Sequence, residues 1–204
     1  MQRAISISEL YNTKRNLIEL SPEFQSHIGL PEVKGSWILW GGSGNGKTSY
    51  ALQLAKELAK HERVAYNSLE EGNSHSFALA CKRNNMHDCK GRFVLIQDDY
   101  TQLIKRLKRH KSPNVIITDS FQYMGMNFNQ YKELLEIFPS KLFIWISHAD
   151  GKLPEGRTAK RVRYDAYVKI YVEGYTASAV SRYGGGKPFV IWEEGASEFG
   201  MNLK

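Results

Sequence analysis

The chain has 204 residues, of which 42% are hydrophobic and 24% charged, which allows one domain with a sizeable core and excludes a small disulfide scaffold, a coiled coil and a disordered tail. Lysine and arginine exceed aspartate and glutamate by 28 − 21 = 7 charges, which favours a polyanionic partner without identifying it. With two cysteines, no apolar signal segment and no long apolar run, we expect a soluble, cytoplasmic protein.

Short β-rich apolar segments alternate with segments of helical periodicity over the first three quarters of the chain. The predicted strands are residues 36–40, 64–67, 93–97, 114–118 and 142–147. The predicted helices are residues 48–60, 74–84, 99–110 and 128–137. This alternation indicates an α/β protein, with a mostly parallel sheet covered by helices on both faces in three αβα layers.

The character of the sequence changes after Ser147. Residues 149–163 contain glycine, proline and five basic residues and are predicted to form a loop. Alternating stretches at 167–173, 177–182 and 188–192 predict C-terminal antiparallel strands that extend the sheet. Because no repeat or low-complexity linker is found, we expect one domain over residues 36–204, preceded by an N-terminal arm or cap over residues 1–35.

The strongest motif is a glycine-rich segment between the first predicted strand and the first predicted helix, which fits the pattern GxxxxGKT. Glycines let backbone N–H groups wrap around phosphates, and the helix N-terminus adds a favourable dipole. We expect Lys47 to contact the β- and γ-phosphates and the Thr48 hydroxyl to ligate Mg²⁺. The residues predicted to bind the nucleotide, called the P-loop below, are Gly41, Gly42, Ser43, Gly44, Asn45, Gly46, Lys47, Thr48 and Ser49.

Polar side chains follow three other predicted strands. Asp119 ends the apolar strand 114–118 and is the expected second Mg²⁺ anchor, a Walker B acid. Glu70 and Glu71 follow strand 64–67, and only one of them can face the phosphates because neighbours on an extended chain point to opposite sides. Glu70 is our first choice for activating water. His148 follows strand 142–147 and is either a contact to the γ-phosphate or a structural residue.

In this order, the P-loop, the strand-terminal glutamate, the Asp-Ser pair and the strand-terminal polar residue resemble the RecA-like ATPases, and among them RadA and KaiC most. The resemblance spans roughly residues 25–195. It implies a RecA-like P-loop core that binds ATP and Mg²⁺, with Glu70 activating water and His148 sensing the γ-phosphate. It also implies that the strand before His148 lies between the P-loop strand and the Asp119 strand.

The resemblance extends less sharply to the C-terminal part. The segment 181–184, Ser-Arg-Tyr-Gly, resembles the end of the KNRFG motif of RadA proteins, although Val180 replaces the lysine of the motif. Arg182 is therefore a candidate for contacting ATP on a neighbouring subunit, with Lys187 as a second candidate and a solvated hairpin arginine as the other interpretation.

Two segments take the positions of the DNA-binding loops of RecA-like recombinases. Residues 121–128 are rich in aromatic residues and methionine and either stack on bases or bury themselves in the protein. The predicted loop 149–163 would neutralise the phosphates of single-stranded DNA. Its candidate DNA-binding residues are Lys152, Arg157, Lys160, Arg161 and Arg163.

These features together predict a Mg²⁺-dependent ATPase that forms a homo-oligomer, either a filament or a ring, and acts on single-stranded DNA in recombination, annealing or repair. One alternative is a KaiC-type assembly protein that is gated by ATP and does not bind DNA. The other is a small-molecule or nucleotide kinase, in which residues 149–163 would close as a lid over two substrates.

Overall fold

The computed structural model describes residues 3–202, which form one large sheet with helices on both sides. The strands are β1 (Gly35–Gly41), β2 (Val64–Ser68), β3 (Phe93–Ile96), β4 (Val115–Asp119), β5 (Leu142–Asp150), β6 (Leu153–Pro154), β7 (Val168–Glu173), β8 (Thr176–Ser181) and β9 (Phe189–Val190).

The helices are α1 (Ile7–Asn12), α2 (Pro22–Ile28), α3 (Lys47–Leu58), α4 (His75–Arg83), α5 (Tyr100–Leu107), α6 (Phe121–Met124), α7 (Phe128–Ile137), α8 (Arg157–Asp165) and α9 (Glu193–Asn202), with a 3₁₀ turn at Met86–Cys89. Among residues 3–202, none of these helices has both the length and the apolar character needed to cross a bilayer.

The strand order is β3-β2-β4-β5-β1-β7-β8-β9, with the short β6 paired to β5. From β3 to β7 in this order, each strand is parallel to the next, so the carboxyl ends of these six strands meet at one edge of the sheet. The expected position of the His148 strand is confirmed, because β5 lies between β4 and β1. In register, Gly41 lies opposite His148 and Ser68 lies opposite Asp119. This edge therefore collects the residues that the sequence singled out.

Side chains of the central strands alternate between two separate hydrophobic cores. On β1, Trp37 and Leu39 join a core with α2, α3 and α4, whereas Ile38 and Trp40 join a second core with α5, α7 and α8. The period-two alternation of buried residues on both faces is expected of a strand covered by helices on each side. The predicted three-layer αβα fold is confirmed.

The N-terminal segment contributes to the first of these cores. Ile18, Phe24 and Ile28 are buried there, and the Phe24 ring stacks on Phe189 of β9 with 4.5 Å between ring centroids. By contrast, α1 has no buried residue. The division of the chain at residue 35 into an arm and a domain stays a prediction.

The C-terminal part differs from the prediction in two respects. Residues 149–163 are not a loop, because β5 continues to Asp150 and α8 begins at Arg157. The basic residues obscured a helix that is anchored on the core through Ala159 and Val162. Since α8 carries the chain back across the sheet, β7 pairs with β1 in parallel, and of the three predicted C-terminal strands only β8 and β9 add antiparallel pairs. A further helix, α9, follows the predicted last strand.

Candidate nucleotide-binding site

A cleft of about 510 Å³ lies at the carboxyl ends of the parallel strands. It is lined by all the predicted P-loop residues except Asn45. It is also lined by Glu70, Glu71, Asp119 and His148, which come from the ends of three other strands. The structure therefore brings together the candidate phosphate-binding, metal-binding and water-activating residues of the sequence.

The conformation of the P-loop is maintained by contacts with the β7–β8 turn. Gly46 has a φ of +97°, and a Cβ there would lie 3.1 Å from the Tyr175 ring, so glycine is needed at this position. The Asn45 side chain accepts a hydrogen bond from the Gly174 N–H at 2.8 Å and donates one to the Ser43 carbonyl at 3.1 Å. Asn45 thus shapes the loop from outside the cleft.

The last three P-loop residues, Lys47, Thr48 and Ser49, form the start of α3. The N–H groups in the first turn of a helix have no partners within that helix, and they attract anions together with the helix dipole. Thr48 and Ser49 lie in this turn and line the cleft. The Lys47 ammonium donates to the Gly42 carbonyl at 2.8 Å. Burial lowers the pKa of Lys47, and the nearby Asp119 and Glu70 carboxylates oppose this effect.

Asp119 lies at the end of β4 and is only 9% exposed. The Tyr66 hydroxyl donates to its Oδ2 atom at 2.7 Å. Burial raises the pKa of Asp119, and so do Glu70 and Glu71, whereas the Tyr66 hydrogen bond and Lys47 lower it. A carboxylate that is costly to ionise in isolation is well suited to a site that receives a cation.

The donor set fits magnesium bound together with a nucleotide. Among residues 3–202, no cluster of three or more His, Cys, Asp and Glu residues could hold a metal ion by itself. Mg²⁺ commonly takes only one or two carboxylates, completing its shell with substrate phosphates and water. Asp119 and Thr48 both line the cleft, so they would hold this ion.

The two adjacent glutamates diverge, although they lie in the bend after β2 and not on an extended strand. Glu70 Oε2 lies 2.9 Å from His148 Nε2, across the cleft. Glu71 instead accepts hydrogen bonds from the hydroxyls of Ser76, at 2.6 Å, and Ser74, at 3.4 Å, at the start of α4. This geometry favours Glu70 as the residue that activates water, and its role stays a prediction.

His148 links the cleft to the segment before α8. Its Nδ1 atom lies 3.5 Å from a carboxylate oxygen of Glu155, and its carbonyl accepts the Glu155 N–H at 2.9 Å. The Gln122 amide donates both to Ser147 Oγ, at 2.8 Å, and to the Glu155 carbonyl, at 3.0 Å. The strand end that carries His148 is therefore connected through hydrogen bonds to the chain that enters α8.

Arg182 lies outside the cleft of its own chain. Its guanidinium sits 4.5 Å from the centre of the Tyr167 ring and donates to the Asp165 carbonyl at 3.3 Å. The side chain is exposed. Its role toward ATP on a neighbouring subunit stays a prediction.

Four of the five candidate DNA-binding residues belong to α8, not to a loop. Lys160 pairs with Asp150 at 3.0 Å, Arg161 lies 3.8 Å from the centre of the Phe128 ring, and Arg163 lies 5.3 Å from that of Trp40. The other two, Lys152 and Arg157, are exposed. DNA binding by these residues stays a prediction.

Segment 121–128 is mostly part of the second core. Phe121, Met124 and Met126 are buried, in agreement with the interpretation that this segment buries itself. Among the aromatic residues and methionines of the segment, Tyr123 is the exposed one, with 60% of its surface exposed and its ring 6.5 Å from that of His148.

Several residues of the site could not be predicted from motifs or periodicity in the sequence. Tyr66 reaches Asp119 only because β2 and β4 are neighbours, and strand order is not contained in the local pattern. Tyr175 and Glu155 reach the cleft from turns distant in the chain.

Comparison with known protein families gives a match to the RNA helicase family over residues 37–147, which is more than half of the chain. The chain belongs to this family. The matched residues of this RNA helicase family member run from β1 to β5, and thus include the P-loop, Glu70 and Asp119. No curated protein sequence matches the chain.

Two archaeal solved structures share the fold of this RNA helicase family member. The flagellar accessory protein FlaH from Methanocaldococcus jannaschii has a TM-score of 0.61 at 16% identity, covering 85% of this chain and 92% of that one. The KaiC-like protein PH0186 from Pyrococcus horikoshii OT3 has a TM-score of 0.60 at 16% identity, covering 86% and 94%. The chain thus has the RecA-like P-loop fold that these two structures share.

Proposed function

We propose that the protein is a Mg²⁺-dependent ATPase that hydrolyses ATP in the cleft at the P-loop. The observation that carries this proposal is that Lys47, at the start of α3, lines one cleft together with Asp119 at the end of β4 and Glu70 just after β2. A phosphate cradle, a buried carboxylate and a carboxylate near the terminal phosphate are the parts that phosphoryl transfer to water requires.

In this proposal the P-loop binds and orients the triphosphate. The N–H groups of the loop and of the first turn of α3 bind the phosphate oxygens, and the Lys47 ammonium exchanges the Gly42 carbonyl for the β- and γ-phosphates. Thr48 and Asp119 hold the magnesium ion. Bound magnesium would neutralise charge that develops on the phosphate oxygens.

Glu70 is the residue that accepts the proton of the attacking water. Its hydrogen bond to His148 fixes one carboxylate oxygen and leaves the other for the water. His148 can donate to only one acceptor through Nε2, so a phosphate near this nitrogen would compete with Glu70. This exchange is how His148 would sense the γ-phosphate.

We propose that the protein binds single-stranded nucleic acid and that this binding stimulates ATP hydrolysis. The exposed face of α8 presents Arg157, Arg161 and Tyr164 at helical spacing, with Tyr164 77% exposed. Cations bind phosphates, and an exposed aromatic ring stacks on unpaired bases. The name of the matched family, RNA helicase, supports RNA as the bound polymer, whereas the sequence analysis predicts single-stranded DNA. The experiment below therefore tests both polymers. A role in recombination, annealing or repair stays a prediction.

The test measures phosphate release from Mg·ATP without a phosphate acceptor, alone and with single-stranded DNA or RNA oligonucleotides, at two ionic strengths. We expect release that either polymer stimulates, more strongly at low salt. Arg157→Ala should lower the slope of log affinity against log salt by about one, whereas Lys90→Ala, at an exposed site on the opposite edge of the sheet, should not. A rate that responds to neither polymer would refute the nucleic-acid half of the proposal.

Homo-oligomerisation is proposed from two exposed features. Helix α1 buries no residue and presents Ile7 and Tyr11 to solvent, at 62% and 80% exposure, while Arg182 lies outside its own cleft. A neighbouring copy of the chain would cover the exposed side chains of α1, and its nucleotide cleft would receive the Arg182 side chain. Light scattering should detect assembly with Mg·ATP, and Arg182→Ala should lower hydrolysis per subunit in the assembled state but not in the monomer. A protein that stays monomeric and fully active would contradict this.

A further inference from the structure

A second cavity, of about 530 Å³, opens beside the nucleotide cleft. The two cavities share Ser49 and Tyr175 as lining residues. Nothing in the hydrolysis mechanism uses this second cavity, which we call the side groove. Its remaining lining residues are Gln53, Arg83, Asn84, Ile191 and Trp192.

The position of the side groove relative to the P-loop indicates what it receives. The P-loop backbone cradles the α- and β-phosphates, and Thr48 lies on the magnesium side. Ser49 is the next residue in the first turn of α3, and it borders both cavities. The sugar and base of a nucleotide bound at the P-loop must leave the cleft, and the side groove adjoins it at this residue.

Trp192 forms an aromatic platform in the side groove. Its ring meets that of Tyr175 edge to face, with 5.1 Å between centroids and an interplanar angle of 87°. Gly195 supports the ring closely, since a Cβ at that position would lie 2.3 Å from it. The ring is nevertheless 48% exposed. A fixed, half-exposed indole ring is suited to stacking against a planar base.

Polar groups at the end of α4 complement this platform. Arg83 is exposed, and within residues 3–202 its side chain makes neither a hydrogen bond nor a salt bridge. The Asn84 amide nitrogen donates to the Ala80 carbonyl at 2.9 Å, which leaves its carbonyl oxygen as an acceptor. Together they offer donors for ring nitrogens and an acceptor for an exocyclic amine.

We propose that the side groove binds the nucleoside part of the nucleotide, with a purine base stacked on Trp192 and its polar edge facing Arg83 and Asn84. The volume is within the roughly 300–1,000 Å³ of small-molecule sites. A purine is favoured over a pyrimidine because its two fused rings cover more of the indole. This assignment rests on the proposed nucleotide function of the adjoining cleft.

The first experiment compares Mg·ATP with Mg·tripolyphosphate, which has the phosphate chain but no nucleoside, by calorimetry. Trp192→Ala should weaken ATP binding by roughly tenfold, the size of one stacking interaction, and leave tripolyphosphate unchanged. Arg83→Ala should weaken the binding of ATP, but not of tripolyphosphate, by a few fold. Because Arg83 is exposed, this variant should fold normally, so it tests the side groove even if Trp192→Ala has a folding defect. The preference of the wild type for ATP over UTP should shrink in both variants.

The outcomes separate this inference from the proposed function. If the wild type binds both ligands but neither variant alters ATP affinity, or both ligands weaken equally in both variants, the side groove does not hold the base. If the wild type binds neither ligand, the nucleotide site itself is refuted, and the side groove assignment with it.

Intrinsic fluorescence gives a second readout, because the other three tryptophans, Trp37, Trp40 and Trp145, are all buried. A base stacked on Trp192 should quench the emission and protect it from acrylamide, whereas tripolyphosphate should do neither. Trp192→Phe should abolish the ATP-dependent change while retaining ATP binding through a smaller ring. An ATP-dependent change that persists in Trp192→Phe would overturn the stacking.

Discussion

Replacing Tyr66 by phenylalanine removes one hydroxyl from the core and leaves the ring in place. That hydroxyl donates to Asp119 at 2.7 Å, in the interior of the protein. Burial raises the pKa of Asp119 and the hydrogen bond lowers it, so Tyr66→Phe should raise this pKa further. Since Asp119 must be ionised to hold magnesium, the acid limb of the hydrolysis profile should move to higher pH.

The same change should destabilise the fold. Hydrogen bonds to charged groups contribute about 1.5–3 kcal/mol, against about 0.5–1.5 kcal/mol for neutral pairs. Tyr66→Phe should therefore lower Tm by roughly 3–12 °C at neutral pH in a protein of this size. Because the bond is to the ionised carboxylate, the difference from wild type should shrink as the pH falls through the pKa of Asp119.

Tyr50→Phe is the matched control. The Tyr50 hydroxyl is equally buried and lies 3.0 Å from the Nε2 atom of His27, away from the cleft. Tyr50→Phe should lower the stability by only about 0.5–1.5 kcal/mol, the contribution of a hydrogen bond between neutral groups. It should leave the pH profile of hydrolysis unchanged. Urea denaturation and phosphate release, each measured across pH, check both variants. If Tyr66→Phe costs no more than Tyr50→Phe and the two pH profiles coincide, Tyr66 does not tune Asp119.

Three further variants test individual parts of the cleft. Lys47→Ala should weaken Mg·ATP binding by at least about tenfold in calorimetry, because it removes a charge-assisted contact to the phosphates; unchanged affinity would place the phosphates elsewhere. Glu71→Gln should leave phosphate release within about twofold of wild type, since Glu71 is bound to the α4 serines; a large loss would transfer the role of Glu70 to it. Asp119→Asn should raise the urea midpoint without nucleotide at neutral pH, because burial penalises the ionised form, and this gain should vanish in acid. A urea midpoint of Asp119→Asn below that of the wild type at neutral pH would contradict the cost assigned to burying the ionised carboxylate.

The parallel core and the P-loop could be predicted because their signals are local. Apolar runs of strand length followed by glycine or acidic residues mark β1 and β4, and the glycine pattern before Lys47 requires a turn at that point. The prediction of a loop around Arg157 is wrong for a local reason too. Its two short core anchors, Ala159 and Val162, are a weak signal among charged side chains.

Other features depend on how distant segments meet. The Glu70–His148 contact joins residues from β5 and the end of β2, which are not neighbouring strands. The side groove depends on α4, the β7–β8 turn and Trp192 meeting beside α3, and none of these segments carries a recognisable motif. Such sites are set by packing of the whole domain, so periodicity and motif spacing do not predict them.

Phosphate release from Mg·ATP by the wild type and by Glu70→Gln, with bound ATP measured in parallel and no acceptor added, tests most directly whether the cleft hydrolyses ATP. We expect both proteins to retain ATP with similar affinity, and the variant to release phosphate at least about 100-fold more slowly, the usual contribution of a general base. Equal rates in the two proteins, or a wild type that does not bind ATP, would contradict the assignment of this cleft.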